Sequence, residues 1–329
     1  MLPLARVEGK ALIDEPLVES VVVVSPRGYC AGVERAVETV ERALELFGAP
    51  IYVRKQVVHN RHVVADLEAR GAIFVHSEED APPGARIVFA AHGVAPEVLD
   101  RAKARGLRSI DATCPLVSKV HAEVKRFAAA GYLVLVVGHA GHDEIVGTMG
   151  VARGRTVLIE TLADAEAFQS ERPDRLAYVT QTTLSVDDTA VIVDALRRRF
   201  PDILEPRKED ICYATTNRQA AVKEALGRID FLVVVGSQNS SNSNRLVETA
   251  LAGGVPAVLV DDPSGLEEAM FADARCVGLT AGASAPERLV VDVCDWFEER
   301  GAQVLYSPSD SEDVLFRLPI EVRPLVQAR

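Results

Sequence analysis

The sequence predicts an α/β protein of three pseudo-equivalent units, with mostly parallel sheets set around a central point, and three observations predict it. Short apolar runs alternate with segments of helical period. Three cysteines each stand in a turn just before one of those helices. Polar loops then follow each cysteine at matching distances.

The apolar runs are Val21–Val24, Ile87–Ala91, Leu133–Val137, Phe231–Val235, Ala257–Val260 and Cys276–Leu279. They are rich in Val, Ile and Leu without alternation, the pattern of strands buried on both faces of a parallel sheet. Between them, residues 31–47 place Val33, Val37, Val40, Leu44 and Phe47 on one helical stripe. Residues 117–130 and 220–226 behave likewise. Strand alternating with helix argues for crossover connections.

The threefold order appears when the chain is aligned on its cysteines. Cys30 is followed by His59 in VVHN, Cys114 by His142 in GHAGHDE, and Cys212 by Ser240 in GSQNSSNSN, at separations of 29, 28 and 28 residues. Each unit then has another strand ending in a polar turn: AAHG with His92, TQTTLS with Thr182, and TAGAS with Ser284. The units read as residues 20–112, 113–210 and 211–329, the last with a C-terminal tail, after an extension over 1–19. Each is long enough to be a small domain. Ligands of open parallel sheets collect beyond the carboxyl ends of strands, so the cysteines and polar turns are expected to share one cavity.

Composition narrows the function. The 329 residues are 48% apolar and 26% charged, a globular balance. A net charge of −12 speaks against a nucleic-acid groove, which needs a basic stripe. No apolar run reaches the ~18–20 residues of a membrane span, and residues 1–18 lack the apolar core of a secretory signal. Five widely spaced cysteines without a CxxC pair argue against a disulfide framework, a zinc finger or a thioredoxin-like motif. A cytoplasmic protein is expected.

Cys276 in RCVGLT and Cys294 in VVDVCDWF read as small buried hydrophobes. The other three stand at helix starts, in RGYCAGVE, DATCPLVSK and DICYATTNR, where the helix dipole favours thiolate. Three thiolates could hold zinc together with a histidine, or a cluster with one iron left open as a Lewis acid. The histidines lie among Ser, Thr, Asn and Glu in the outer loops, which suits a substrate pocket and favours the cluster. His59, His92, His142, Ser240, Ser241, Asn242 and Ser284 can all donate hydrogen bonds to phosphate oxygens. Glu144, in a water-poor cavity, could stay protonated as a general acid, with Thr182 orienting the proton.

Together the segments PRGYCAGVERAV, APIYVRKQVVHNRHVV, DATCPLVSKVH, GHAGHDEIVGTMG, TQTTLSVDD, DICYATTNRQ, VVGSQNSSNSNRL and CVGLTAGASAP resemble the 4-hydroxy-3-methylbut-2-enyl diphosphate reductase family, in order, from about residue 20 to about residue 320. The resemblance implies a trefoil of three α/β domains around one [4Fe–4S] cluster per chain, bound by Cys30, Cys114 and Cys212. It implies a diphosphate held by His59, His92, His142, Ser240, Ser241, Asn242 and Ser284, and protons handled by Glu144 and Thr182. The activity implied is reductive dehydroxylation to isopentenyl and dimethylallyl diphosphate at the open iron, with a ferredoxin or flavodoxin as electron donor. Because no Lys or Arg is implied as a diphosphate ligand, affinity is expected to depend on histidine protonation between about pH 6 and 8. A cluster-dependent hydro-lyase, a cluster-bearing sensor and a zinc hydrolase are the competing readings.

Overall fold

The structure, a computed structural model, describes residues 15–308 and 312–323. Residues 1–14 of the expected extension, and the last six residues of the tail, lie outside the described residues. The strands are β1 (Ser20–Val23), β2 (Ile51–Arg54), β3 (Ala72–Val75), β4 (Arg86–Phe89), β5 (Arg108–Asp111), β6 (Leu133–Val137), β7 (Thr156–Ile159), β8 (Leu176–Thr180), β9 (Phe231–Val235), β10 (Ala257–Val260), β11 (Cys276–Ala281) and β12 (Gln303–Tyr306). The helices are α1 (Ala31–Phe47), α2 (Arg61–Ala69), α3 (Pro96–Ala104), α4 (Pro115–Ala129), α5 (Asp143–Gly150), α6 (Leu162–Ala167), α7 (Val186–Arg199), α8 (Tyr213–Ala225), α9 (Ser241–Ala252) and α10 (Glu287–Glu298).

The strands form three sheets, ordered β3-β2-β4-β5, β7-β6-β8 and β10-β9-β11-β1-β12. All their pairings are parallel. The near-continuous apolar runs match this: Val134, Leu135 and Val136 of β6 and Leu232, Val233 and Val234 of β9 are fully buried. Helices fill the crossovers, and the helix after each cysteine packs into the unit it opens. Ala36, Val40 and Ala43 of α1 join the core of β2, β4 and β5. Val120, Val124 and Phe127 of α4 join that of β6 and β8. Val222 and Ala225 of α8 join that of β9. The start and stop of α1 follow from its ends: Glu34 complements the positive N-terminus. Gly48, at φ 72°, takes the left-handed turn that lets its N–H bond Leu44 O.

One expected boundary is corrected. The unit expected to begin at residue 20 opens with β1, and β1 is a strand of the third sheet. It lies between β11 and β12, with Val21 opposite Val277 and Val304. Val21 and Val23 are fully buried in that sheet's core. An apolar run announces a two-sided strand but not which distant strands it pairs with. Within the described residues, β1 thus belongs to the third sheet, and the chain crosses from it to the first unit at Cys30.

Leu279 sits in the middle of this junction, opposite Val23 and Val233 and fully buried. Leu279→Ala should cost about 2–5 kcal/mol, the range for a leucine truncated in a packed core. Denaturant unfolding followed by far-UV circular dichroism measures it.

Candidate active site

Cys30, Cys114 and Cys212 are the N-cap residues of α1, α4 and α8. None of the three sulfurs makes a full capping hydrogen bond to its helix, although first-turn N–H groups lie close enough to favour each thiolate. Their backbones are tied by one recurring bond. Cys30 N donates to Ala283 O at 3.3 Å, Cys114 N to Ala91 O at 2.9 Å, and Cys212 N to Thr182 O at 3.0 Å. The acceptors lie in TAGAS, AAHG and TQTT, so each thiol is joined to a polar turn at the strand ends of the unit before it. The thiols line one cavity, and Cys276 and Cys294 do not.

The outer loops repeat as well. Asn60, His142 and Ser240 are the N-caps of α2, α5 and α9. Asn60 Oδ1 accepts from His62 N and Val63 N, His142 Nδ1 from Glu144 N, and Ser240 Oγ from Ser243 N. Three more helix N-termini are thus gathered beside the cavity, each able to attract an anion. His59 precedes Asn60, and its ring stacks on that of His92 with centroids 4.0 Å apart. The His142 ring stands edge-on to both, at 5.3 and 5.9 Å. His59 Nε2 and His92 Nδ1 are buried with no hydrogen-bond partner among the described residues. A buried polar atom left unpaired is uncommon enough to point to a ligand.

Ser284 Oγ donates to His59 O at 2.9 Å. Ser241 Oγ donates to Thr183 O at 3.1 Å. Asn242 spans two walls, accepting from Ala283 N at 2.8 Å and donating to Thr215 Oγ1 at 3.2 Å. Glu144 is buried, and both its oxygens are held by one residue: Thr182 N donates at 2.7 Å and Thr182 Oγ1 at 2.9 Å. All twelve residues singled out in the sequence line this cavity. No Lys or Arg does among the described residues.

Burial dominates the electrostatics. It pushes the Cys114 thiol up to about 12, Cys212 up to about 11, and Cys30 upward as well. The expectation that helix starts alone would favour thiolate is therefore corrected. The N–H groups of Leu116 and Val117 do favour the Cys114 thiolate, but desolvation outweighs them. A metal must displace these protons on binding. Burial also lowers His59, His92 and His142, the last to about 4, so the free site holds neutral imidazoles near neutral pH. Asp143 opposes this at His59 and His142, while the histidines disfavour one another's charge. Burial raises Glu144 to about 7, against the two Thr182 bonds that favour its ionised form.

The donor set fits a thiophilic metal group. Among the described residues, only His59, His92 and Asp143 bring three potential ligand atoms within 4.8 Å of one another. The three sulfurs are spread wider than that. A single zinc with ~2.3 Å bonds would draw thiolates to within ~3.8 Å of one another, so the spread favours a multi-iron group. The chain also leaves a recess there: a Cβ on Gly32 would lie 2.7 Å from Cys114 Sγ and 3.7 Å from Cys30 Sγ.

Two participants escape sequence reasoning. Thr215 Oγ1 contacts Cys212 Sγ at 3.2 Å and links it to Asn242. Gln181 Oε1 accepts from His139 N, and its Nε2 donates to Thr183 Oγ1. Thr215 carried one faint signal, its place three residues after a helix-starting cysteine.

Thiols and anion-seeking turns that share one cavity between parallel sheets define a metalloenzyme site, not a set of buried hydrophobes. The model of the family described as LytB protein matches residues 21–298, and the chain belongs to that family. A 4-hydroxy-3-methylbut-2-enyl diphosphate reductase of Acidothermus cellulolyticus is 53% identical over 311 residues, 94% of this chain and 92% of its own. One from Bordetella pertussis is 55% identical over 300 residues, 91% of this chain and 92% of its own. The solved structure of the E-1-hydroxy-2-methyl-but-2-enyl-4-diphosphate reductase from Plasmodium falciparum superposes with a TM-score of 0.88 at 37% identity, covering 93% of this chain and 97% of that one. Membership of the family implies an iron–sulfur enzyme.

Gly32→Ala separates the metal recess from the fold. Alanine favours a helix by about 1 kcal/mol over glycine, so helicity should persist. The added Cβ crowds Cys114 Sγ, so iron bound after anaerobic purification should fall severalfold, as counted by colorimetric iron analysis.

Proposed function

We propose that this chain reduces 4-hydroxy-3-methylbut-2-enyl diphosphate to isopentenyl and dimethylallyl diphosphate, using one [4Fe–4S] cluster held by Cys30, Cys114 and Cys212. The observation that carries the proposal is the meeting of three thiols, three histidines and the Glu144–Thr182 pair on one cavity. When bound, such a cluster supplies single electrons and an iron without a protein ligand, open to an oxygen. Overall the allylic C–O bond breaks, two electrons and two protons enter, and water leaves.

The chain's own groups perform the rest. His59, His92 and His142 donate to the diphosphate, joined by Ser240, Ser241, Asn242, Ser284 and the starts of α2, α5 and α9. Anchoring the diphosphate fixes where the hydroxyl lies, which turns a bimolecular encounter into a positioned one. Glu144, with a pKa of about 7, is substantially protonated near neutrality and can deliver a proton to the departing oxygen through the Thr182 hydroxyl. The dry walls, Val33, Val58 and Val117 among them, keep solvent from the reacting carbon. Electrons come from a ferredoxin or flavodoxin, the donor class the resemblance implies. A thiol-rich site without disulfides suits the reducing cytoplasm. No described helix is long and apolar enough to cross a membrane.

The test is anaerobic purification with iron and sulfide counted, then turnover of the diphosphate with a chemical reductant. Turnover without iron would sink the proposal. Turnover without a reductant would turn it into a hydro-lyase. Glu144→Gln should keep the cluster and substrate binding but lose about 10²–10⁴ in rate, the usual worth of a general acid. Wild-type kcat should fall as pH rises through about 7, because the protonated carboxyl is the acting form.

The neutral histidines sharpen the expected pH dependence of affinity. A bound diphosphate raises their pKa values, so binding takes up protons and affinity falls as pH rises from 6 to 8, by up to about tenfold per unit for each proton taken up. Titration calorimetry in two buffers of different ionisation heat reads the uptake. The slope should shrink in His142→Gln, which separates the histidines from ionisation of the diphosphate itself. A flat wild-type affinity would mean that neutral imidazoles suffice.

A further inference from the structure

Each helix that starts at a site cysteine carries one cation shortly inside its start: Arg35 in α1, Lys119 in α4 and Arg218 in α8. None of them faces the cavity. Each donates instead to main-chain carbonyls just ahead of a different cysteine. Arg35 reaches Thr113 O at 3.0 Å and Asp111 O at 3.3 Å, ahead of Cys114. Lys119 Nζ reaches Lys208 O at 2.6 Å and Glu209 O at 2.5 Å, ahead of Cys212. Arg218 reaches Gly28 O at 2.9 Å, with Tyr29 O at 3.4 Å, ahead of Cys30.

The direction is cyclic. The helix of Cys30 grips the approach to Cys114, that of Cys114 grips the approach to Cys212, and that of Cys212 grips the approach to Cys30. The residue types and loop sequences differ, so the recurrence lies in geometry alone. Each cation also has a further anchor. Lys119 pairs with the buried Asp210 at 3.0 Å, whose other oxygen accepts from Thr180 N. Arg218, with 1% of its side chain exposed, pairs with Glu312 of the C-terminal tail at 3.0 Å. Arg35 Nε donates to the tail carbonyl of Arg317 at 2.7 Å. Leu315 between these two contacts is 90% exposed, while Leu318 and Val322 beyond them pack into the core of the first sheet, so the two contacts tie the intervening tail across two of the three clasps.

We propose that Arg35, Lys119 and Arg218 are positioning residues, a closed ring of clasps that sets the spacing of the three sulfurs and the electrostatics of the iron–sulfur group they hold. The inference rests on the cluster reading above. Arg218 is buried, so releasing it from its carbonyls would strand a charge; Lys119 and Arg35 are only partly buried, and each holds its loop through two carbonyls at once. Groups behind metal ligands typically change metal affinity by about 10–100-fold when removed, and charge near a cluster shifts its potential.

The test uses anaerobically purified holoenzyme: wild type, Arg35→Gln, Lys119→Gln and the conservative Lys119→Arg. Iron release to a chelator should be about tenfold faster or more in both Gln variants, and near wild type in Lys119→Arg. The double Gln variant should release iron no faster than about twice the worse single variant, since opening one clasp already breaks the ring. Loss of a positive charge should lower the midpoint potential by about tenfold in the one-electron equilibrium, about 59 mV, a readout that general destabilisation does not move. Release within twofold of wild type together with a potential shifted by less than about 18 mV, twofold in the same equilibrium, in both Gln variants would overturn the ring, as would a double variant whose release rate is the product of the single effects. If a Gln variant does not fold, Lys119→Met and Arg35→Met, which keep an unbranched stem and remove the charge and its donors, carry the same comparison. Wild type without iron would overturn the cluster reading and the ring with it, whereas a loaded wild type with unaffected variants overturns the ring alone.

Discussion

Three sulfur atoms, far apart in sequence, have to be held around one point without bonding to each other. The backbone bond from each cysteine N–H to the polar turn of the neighbouring unit is the constraint that achieves this. Bonds from Cys30 to Ala283, Cys114 to Ala91 and Cys212 to Thr182 place each sulfur beside a turn that also carries His92, Thr182 or Ser284. Thiols and substrate groups are therefore registered to one another through single peptide units. A shift in one unit's placement would therefore move its neighbour's turn as well. The insertion of β1 between β11 and β12 ties the strand ahead of Cys30 into the third sheet.

Burial is the second determinant, and it acts in opposite senses on the site's acids and bases. It raises the thiols and Glu144 and lowers the histidines. One buried cavity thus favours the neutral form of every group in it: the thiols and the carboxyl are shifted toward protonation and the imidazoles away from it. Such a site is poised to take up charge. A metal bound by the thiols would replace their protons, and an anionic ligand would draw protons onto the imidazoles. The charged state belongs to the loaded site and is stabilised by the ligands themselves.

Much of this was legible in the sequence because it depends on local pattern. The runs at Leu133–Val137 and Phe231–Val235 coincide with β6 and β9, and the stripe at residues 31–47 with α1. The meeting of the twelve site residues followed from the matched spacing of cysteines and strand-end loops. Sheet membership of β1 was not legible, because Val21 to Val24 looks the same in any parallel sheet and its partners lie more than 250 residues away. The direction of the thiol shifts was missed because a helix start is visible in sequence whereas depth is not. Thr215 was missed because a threonine early in a helix is commonplace until Asn242 is folded against it.

The placement of cations follows from the same logic. An anionic substrate might be expected to meet Lys or Arg, yet none lines the cavity among the described residues. A fixed cation beside the diphosphate would bind substrate and product with equal strength, and uniform binding of that kind adds nothing to the chemical step. It would also disfavour protonation of the neighbouring imidazoles. Helix N-termini and neutral donors supply attraction without either penalty. The cations Arg35, Lys119 and Arg218 stand one layer back, on carbonyls just ahead of the cysteines, which is where the proposed ring of clasps would act on a bound iron–sulfur group and its ligands. The cavity wall is thereby left to neutral donors, and the fixed charges stand behind it on main-chain carbonyls.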